Sequence, residues 1–269
     1  MMKKTILHFS DTHFGSPQAE RRAYALIAEA ERHRPAVVAI SGDLTQRARS
    51  EQFRQARAFL DRVNAPLIVV PGNHDVPLWN VYARFFQPLK KYRRWVTPDL
   101  APLYADDEIA VMGIDTTRSF TIKGGEVKGA ALEIVHERMS ELPAHVCKIV
   151  VAHHPFAPPP GFEEEEAVGG VEAALKLFDE CGVEMVLTGH LHHSHVARSK
   201  DIYPETRNNI LLVQAGTAAS VRGRGSETAL NSYNLITITE QEIEITSFVS
   251  DRTGAFAARN RWTARRGGG

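Results

Sequence analysis

The strongest constraint on this chain is a regular alternation of short apolar runs with stretches that carry apolar residues at helical spacing. Most of the apolar runs are solid rather than alternating, which is typical of strands buried on both faces. The predicted strands are 5–10, 36–41, 67–71, 109–114, 146–152, 183–188, 210–214, 233–239 and 243–249. The predicted helices are 17–34, 50–63, 77–92, 130–142 and 170–181. This alternation predicts an α/β fold, with an antiparallel portion after about residue 202, where helical spacing stops.

Length and composition limit the classes of protein that the chain can represent. Its 269 residues fit one large domain. We expect that domain to span residues 1–260, followed by a disordered tail over 261–269 that ends in glycines. Lysine plus arginine equals aspartate plus glutamate, at 32 each, which disfavours a nucleic-acid polymer as partner. Two cysteines exclude a disulfide framework, and with no signal peptide or membrane-spanning run we predict a cytoplasmic protein.

Five of the predicted strands run directly into turns that carry Asp, Asn or His. These turns are Asp11-Thr12-His13, Gly42-Asp43, Gly72-Asn73-His74-Asp75, His153-His154 and Gly189-His190-Leu191-His192. In α/β folds, functional sites assemble at the carboxyl ends of the strands. A single histidine or Gly-Asp turn would be ordinary, but turn chemistry alone does not explain five such turns.

The residue types in these turns predict a dinuclear metal site. Imidazole nitrogens mixed with carboxylate and amide oxygens favour Mn, Fe or Zn. A carboxylate with two oxygens can bridge two ions, and Asp43 is the predicted bridge. Besides Asp43, a first ligand set is Asp11, His13 and His192, and a second ligand set is Asn73, His153 and His190. Two ions about 3.5–4 Å apart would bind a phosphoryl group and lower the pKa of a bridging water toward about 7.

The order and spacing of the five turns resemble the calcineurin-like metallophosphoesterase superfamily. Its pattern is Asp-x-His, Gly-Asp-x-x-Asp-Arg, Gly-Asn-His-Asp/Glu, a histidine, and Gly-His-x-His, and the resemblance covers residues 5 to about 195. It implies a four-layer α-β-β-α sandwich with two mixed β-sheets and a dimetal site at one edge, held by the same seven ligands. Gln46 stands where the second acidic residue is common, which weakens the resemblance to protein Ser/Thr phosphatases. The stretch 41–45 looks most like bacterial class III cyclic nucleotide phosphodiesterases.

Four residues beside the ligands are predicted to act on the substrate. His74 is expected to donate a proton to the leaving oxygen or to stabilise developing charge. Asp75 is expected to orient His74, with turn capping as the alternative. Arg47 is expected to bind a phosphate oxygen, with a solvated surface position as the alternative. Asn73 is counted both as a metal ligand and as a substrate contact.

Two other stretches are candidates for substrate contact. Residues 81–95 are basic and aromatic, and they form either a helix that buries Tyr82, Phe85, Phe86 and Leu89 or a wall for a nucleobase or an anionic membrane surface. Residues 155–170 follow His153, have the length of a lid, and contain glutamates that would repel polyanions. Arg222 and Arg224, in a later glycine-rich loop, are candidate phosphate contacts, with a solvated loop as the alternative.

The leading functional interpretation is hydrolysis of phosphodiester bonds in a small substrate, with 3′,5′-cyclic nucleotides as the first class, by a hydroxide that two metals activate. A second interpretation is a nucleotide-lipid pyrophosphatase of the UDP-diacylglucosamine type at a membrane surface. A nuclease is disfavoured by the zero net charge. A non-enzymatic metal-site scaffold that binds proteins is the last alternative. Peripheral membrane contact and a homodimer both stay open.

Overall fold

Two mixed β-sheets of six strands each form the centre of the computed structural model, which describes residues 3–121, 123–162, 164–220, 223–250 and 254–267. In chain order the elements are β1 (Lys4–Phe9), α1 (Pro17–His33), β2 (Val37–Ile40), α2 (Ser50–Leu60), β3 (Leu67–Val69), a 3₁₀ turn (Asn73–Asp75), α3 (Val81–Phe86), α4 (Lys90–Trp95), β4 (Leu103–Ala105), β5 (Ile109–Gly113), α5 (Gly129–Ser140), β6 (Cys147–Val151), α6 (Val171–Glu180), β7 (Val183–Thr188), β8 (His195–Arg198), α7 (Ser199–Ile202), β9 (Leu211–Gln214), a second 3₁₀ turn (Gly225–Glu227), β10 (Ser232–Ile238), β11 (Glu242–Ser250) and β12 (Phe256–Arg265).

Strand direction places the carboxyl ends of the central strands at one edge of the molecule. The first sheet has the order β12-β11-β10-β1-β2-β3, in which β1, β2 and β3 are parallel and the remaining pairs are antiparallel. The second has the order β4-β5-β6-β7-β9-β8, in which β5, β6, β7 and β9 are parallel. The predicted antiparallel portion after residue 202 is therefore found in β10, β11 and β12.

Three apolar clusters define four layers. The strands facing each other across the two sheets bury one cluster, which includes Ile6, Val111 and Leu187. The first sheet packs its outer face against α1, α2 and α4, and the second packs against α5 and α6. Because each central strand is covered on both faces, strands such as β5 and β6 are buried at every position. The predicted α-β-β-α sandwich with two mixed sheets is confirmed.

The predicted helix over residues 77–92 is wrong in its extent and in what it buries. Asn80 caps α3, because its Oδ1 atom accepts a hydrogen bond from the amide of Ala83 at 2.9 Å, and Pro88 separates α3 from α4. Leu89 is buried as predicted. However, Tyr82, Phe85 and Phe86 are exposed.

The predicted disordered tail over 261–269 is wrong for residues 261–265, which form the end of β12. Trp262 pairs with Ile245 of β11 and packs against the cluster between the sheets. Just beyond the strand, the Arg266 guanidinium donates hydrogen bonds to both carboxylate oxygens of Glu184, at 2.8 to 3.2 Å. These contacts are made with residues outside the tail, so the charged and glycine-rich composition of residues 261–269 does not predict them. Residues 268 and 269 lie outside the described residues.

Candidate dinuclear metal centre

The turns that follow β1, β2, β3, β6 and β7 converge at one edge of the sandwich. The amide of Asp11 donates to the carbonyl of Gly42 and the amide of His13 donates to the carbonyl of Asp43, each at 3.0 Å, which joins the first two turns. The amide of His190 donates to Asp11 Oδ2 at 2.9 Å, which joins the last turn to the first. The seven predicted ligands therefore come from five separate strand ends, and the structure brings all of them together.

The backbone of this edge adopts conformations that side chains rarely accept. The φ angles of Asp11, His13, Asp43, His190 and His192 are all positive, between 45° and 75°. Each left-handed residue with a side chain costs about 1 kcal/mol or more, and such strain clusters at functional sites. The hydrogen bonds between the turns hold this geometry, which directs the five side chains toward one point. Gly42 has a φ of +93°, and a Cβ atom there would lie 2.6 Å from the ring of His153.

The first ligand set gathers ring nitrogens and carboxylate oxygens at short range. His192 Nε2 lies 3.0 Å from His13 Nε2 and 3.1 Å from Asp11 Oδ1. His13 Nε2 lies 3.5 Å from Asp11 Oδ1 and 3.7 Å from Asp43 Oδ2. All four residues are buried. Asp43 thus presents one of its two oxygens to this set.

The second ligand set has the same character. His153 Nε2 lies 3.0 Å from Asn73 Oδ1 and 3.2 Å from His190 Nδ1, which in turn is 3.1 Å from Asn73 Oδ1. Asp43 Oδ1 lies 3.5 Å from His153 Nε2. Asp43 therefore faces the first set with Oδ2 and the second with Oδ1, which is the geometry expected of a bridging carboxylate.

Hydrogen bonding outside the two sets favours a cation at their centre. His153 Nδ1 lies 2.7 Å from the carbonyl oxygen of Ser41, which can only accept, so Nδ1 carries the proton and Nε2 offers a lone pair to the site. Burial lowers the pKa of His13 to about 4 and also lowers the pKa of His153, so both rings are neutral at physiological pH. The lone pair on His153 Nε2 then faces Asn73 Oδ1 at 3.0 Å and Asp43 Oδ1 at 3.5 Å, an arrangement that a metal ion stabilises.

The buried carboxylates of Asp11 and Asp43 at the centre also favour the binding of cations. Burial alone would raise the pKa of Asp11, but interactions with His192 and His13 hold it well below its usual range. Burial raises the pKa of Asp43 well above its usual range, and the neighbouring Asp11 and Asp75 carboxylates add to the effect. Burying two adjacent ionised carboxylates raises the free energy of the folded state unless cations pair with them. The residues present therefore fit two metal ions.

His74 lies beside the ligands, but Asp75 does not have the predicted orienting role. The Asp75 carboxylate is buried and accepts hydrogen bonds from the amides of Leu44, Thr45 and Gly72 and from the Thr45 hydroxyl, at 2.9 to 3.1 Å. These four bonds fix the turns on either side of the site, so Asp75 is a turn-capping residue. The prediction failed because sequence adjacency does not show that two consecutive side chains of a 3₁₀ turn point in different directions.

A backbone carbonyl takes the place that was predicted for Asp75. His74 Nδ1 lies 2.9 Å from the carbonyl oxygen of Gln46. Arg47 Nη1 lies 3.3 Å from the same oxygen and 3.5 Å from His74 Nδ1, so the structure puts Arg47 on the Nδ1 side of the His74 ring. Its contact with phosphate stays a prediction.

An open cleft of about 330 Å³ gives access to the centre. Its lining consists of Asp43, Asn73, His74, Lys123, Glu165, His190, Leu191, His192 and Arg224. Arg224 Nη1 lies 2.7 Å from Glu165 Oε1, and the Arg224 guanidinium lies 4.8 Å from the centre of the Phe162 ring. The structure therefore places Arg224 at the cleft together with Glu165, one of the glutamates of the predicted lid. The contact of Arg224 with phosphate stays a prediction. Lys123 was not predicted, because nothing in its local sequence distinguishes it from a surface lysine. Arg222 and Glu163 lie outside the described residues.

The sequence of the chain is similar to those of known phosphoesterases. The sequence profile of the family described as calcineurin-like phosphoesterase matches residues 4–194. The chain is 23% identical over 203 residues to the 3′,5′-cyclic adenosine monophosphate phosphodiesterase CpdA of Escherichia coli (strain K12), covering 70% of this chain and 69% of that protein. It is 32% identical over 80 residues to the glycerophosphodiester phosphodiesterase GpdQ of Enterobacter lignolyticus, and that match spans 26% of this chain and only 29% of that protein.

Solved structures agree in fold. A purple acid phosphatase from yellow lupin superimposes with a TM-score of 0.71 at 12% identity, covering 97% of this chain and 53% of that one. A dimetal phosphatase from Danio rerio superimposes with a TM-score of 0.69 at 10% identity, covering 98% of this chain and 99% of that one. Within the described part of the chain, no helix is both long and apolar enough to span a membrane.

Proposed function

Since the chain belongs to the calcineurin-like phosphoesterase family and is a dinuclear metallophosphoesterase, we propose that its substrate is a small phosphodiester, with 3′,5′-cyclic nucleotides as the leading class. The observation that carries this proposal is the pair of ligand sets that share Asp43 at the base of a cleft lined by His74. When bound, two ions of Mn, Fe or Zn would stabilise charge on phosphoryl oxygens and activate a water as nucleophile.

In this proposal, residues of the chain orient the His74 ring and supply a proton to the leaving oxygen. The Gln46 carbonyl favours the proton on His74 Nδ1, which leaves Nε2 as the ring atom available to exchange a proton with the substrate. When the ring is fully protonated, Nε2–H can donate to the leaving oxygen as the ester bond breaks. Asn73 would hold a metal ion and contact the substrate, and Asp75 fixes the turn that carries both residues.

The dimensions and charge of the cleft favour a small anionic substrate. A volume of about 330 Å³ is at the lower end of the range for small-molecule sites. Lys123 and Arg224 provide positive charge at the rim, while Glu165 pairs with Arg224 and limits the attraction for a polyanion. The name of the relative that aligns over most of its own length, a cyclic adenosine monophosphate phosphodiesterase, supports the same substrate class.

A substrate and metal screen tests the proposal. The purified chain is loaded separately with Mn, Fe or Zn and assayed with bis(p-nitrophenyl) phosphate, 3′,5′-cyclic nucleotides, a glycerophosphodiester and a nucleotide diphosphate lipid. We expect diester hydrolysis with at least one metal, and a higher kcat/KM for a cyclic nucleotide than for the generic diester. Hydrolysis of none of these by metal-loaded protein would overturn the enzymatic proposal and favour the scaffold alternative.

A second candidate substrate class is supported by a separate observation. Several aromatic side chains on and near α3 are exposed to solvent, as a surface that meets lipids would require. A nucleotide-lipid pyrophosphatase at a membrane surface would cleave the nucleotide diphosphate lipid in the screen faster than any cyclic nucleotide. That result would replace the leading substrate class while leaving the metal chemistry unchanged.

A further inference from the structure

Exposed aromatic side chains are concentrated on one surface of the molecule. We name this surface the aromatic patch, and its members are Trp79, Val81, Tyr82, Phe85, Phe86 and Phe120. Their exposed fractions run from 42% for Phe85 to 83% for Phe120. Within the described residues, eight large apolar side chains are exposed, and six of them belong to the patch. Single exposed apolar residues are normal, whereas a group of this kind marks an interaction surface.

Four members of the patch contact one another in two pairs. The rings of Tyr82 and Phe86 have centroids 5.0 Å apart, one turn apart on α3. The rings of Phe85 and Phe120 have centroids 5.2 Å apart, although they are 35 residues apart in sequence. Two segments of the chain therefore build one apolar surface.

A buried arginine holds these two segments in place. Arg84 lies on α3 and its Nε atom donates to the carbonyl of Ser119 at 2.7 Å, while a second nitrogen donates to the carbonyl of Thr121. Its Nη1 atom donates to the carbonyl of Pro77 at 3.2 Å, at the other end of the patch. Turning the aromatic rings inward would break these bonds and leave a buried guanidinium without acceptors. Exposure of the patch is thus built into the fold.

The charge around the patch selects its partner. Residues 76–98 contain no Asp or Glu and, besides the buried Arg84, four Lys or Arg: Lys90, Lys91, Arg93 and Arg94. On the second segment Arg118 pairs with Glu126, and Lys123 adds a further positive charge. Exposed Lys90 donates to the side chain of Gln87, beside Phe86 in sequence, and exposed Lys123 follows Phe120 by three residues. In a dimer formed through the patch, the positive charges of the two copies would repel each other. Trp, Tyr and Phe flanked by lysine and arginine suit the interface of a bilayer that carries anionic lipids.

We propose that the aromatic patch docks the protein onto the surface of an anionic lipid bilayer. The rings would enter the headgroup region and the flanking lysines would contact lipid phosphates. Lys123 also lines the cleft, and Trp79 lies four residues after Asp75, so docking brings the mouth of the cleft near the lipid surface. The proposal does not depend on the reaction, because binding can be measured without metal or turnover.

Vesicle cosedimentation of the full chain tests the proposal. The probes are phosphatidylcholine vesicles with and without phosphatidylglycerol, at low and high salt. We expect binding only with phosphatidylglycerol and weaker binding at high salt. Trp79→Ser combined with Phe86→Ser should weaken binding at least about tenfold, because two rings lose their apolar burial in the bilayer. Leu103→Ser combined with Ile202→Ser changes two exposed apolar residues outside the patch and should leave binding unchanged.

A charge comparison and a fluorescence measurement complete the test. Lys90→Gln with Lys123→Gln should weaken binding more than Lys3→Gln with Lys176→Gln, which removes two exposed lysines elsewhere. Brominated lipids should quench the fluorescence of the unmodified chain but quench Trp79→Phe much less, a result that needs no loss-of-binding variant. Absence of vesicle binding, equal binding to neutral vesicles, or unchanged binding of the patch variant would each overturn the proposal. A dimer that the patch variant converts to monomer would assign the patch to self-association instead.

Discussion

The Nδ1 atom of His74 lies 2.9 Å from the backbone carbonyl oxygen of Gln46, so the ring is oriented by the main chain of the turn that follows Asp43. A carbonyl oxygen can only accept a hydrogen bond, and it therefore fixes the proton on Nδ1. The same turn carries Asp43, whose Oδ1 atom accepts a hydrogen bond from the His74 amide at 2.8 Å. One short segment thus sets the position of both the proposed metal bridge and the proposed proton donor.

Replacing His74 should separate metal binding from turnover. His74→Ala is expected to lower kcat for bis(p-nitrophenyl) phosphate by about 100-fold or more, because general acid catalysis contributes factors of that size. Metal content per chain should stay near that of the unmodified protein, since His74 belongs to neither ligand set. Steady-state kinetics and elemental analysis of the same preparation measure the two effects. Loss of a metal ion from the variant would show that His74 is a ligand.

Replacing Asp75 should lower stability while leaving turnover per bound metal nearly unchanged, because its carboxylate binds the main chain. Asp75→Asn places an NH₂ group where an oxygen accepts hydrogen bonds, and we expect the free energy of unfolding to fall by about 1–3 kcal/mol. The kcat of the folded variant, expressed per bound metal, should change much less than that of His74→Ala. Denaturant unfolding and metal-normalised kinetics make the comparison. A large fall in metal-normalised kcat without loss of stability would restore the orienting role that the structure argues against.

The sequence predicted that the seven candidate ligands lie together, because their positions follow from one rule: parallel strands carry functional groups at their carboxyl ends. Asp11 and Asp43 follow neighbouring strands of the first sheet, and His153 joins them because β6 of the second sheet ends at the same edge of the sandwich. The exposure of Phe86 was not predictable in this way, since apolar residues at helical spacing normally mark a buried face. It depends on Arg84, whose carbonyl partners at Ser119 and Thr121 are distant in sequence. The pairing of β12 with β11 is likewise a tertiary contact that composition does not encode.

The bridging role that we propose for Asp43 gives a prediction about metal stoichiometry. Asp43→Asn should reduce the loading of both metal ions, because one oxygen faces each ligand set. Asp11→Asn should affect mainly one ion, since Asp11 Oδ1 lies 3.1 Å from His192 Nε2 and 3.5 Å from His13 Nε2, both in the first ligand set. Both substitutions remove one charge and keep the side-chain shape, so each is the control for the other. Elemental analysis after dialysis at a range of metal concentrations measures the two sites. Loss of a single ion in Asp43→Asn would contradict the bridge.

The ion pair at the rim of the cleft should control affinity for anionic substrates. Glu165 pairs with Arg224 at 2.7 Å, and both line the cleft. Glu165→Gln removes a negative charge and releases the guanidinium, so KM for an anionic diester should fall about two- to fivefold with little change in kcat. Glu166→Gln makes the same charge change at an exposed neighbour and should leave KM unchanged. A rise in KM for Glu165→Gln would show that the pair holds Arg224 in its binding position.

Asp106 provides a test of stability far from the metal centre, because the hydrogen bonds that it accepts depend on its charge. Lys4 Nζ and the Tyr104 hydroxyl donate to Oδ2, and the amides of Glu108 and Ile109 donate to Oδ1, all at 2.8 to 2.9 Å. Burial alone would raise the pKa of Asp106, but these bonds outweigh it and lower the pKa from 3.8 to about 2.

A pKa that is lower in the folded chain than in the unfolded chain stabilises the fold wherever the carboxyl group is ionised. The contribution of Asp106 should therefore be complete above about pH 4 and disappear as the pH falls toward about 2. We expect Asp106→Asn to cost about 1 kcal/mol at neutral pH, since the site is partly solvated, and clearly less near pH 3. Urea unfolding of both chains at several pH values measures this difference. Asp107→Asn, at an exposed neighbour, should show little pH dependence, and a cost for Asp106→Asn that does not change with pH would mean that side-chain shape rather than charge stabilises this corner.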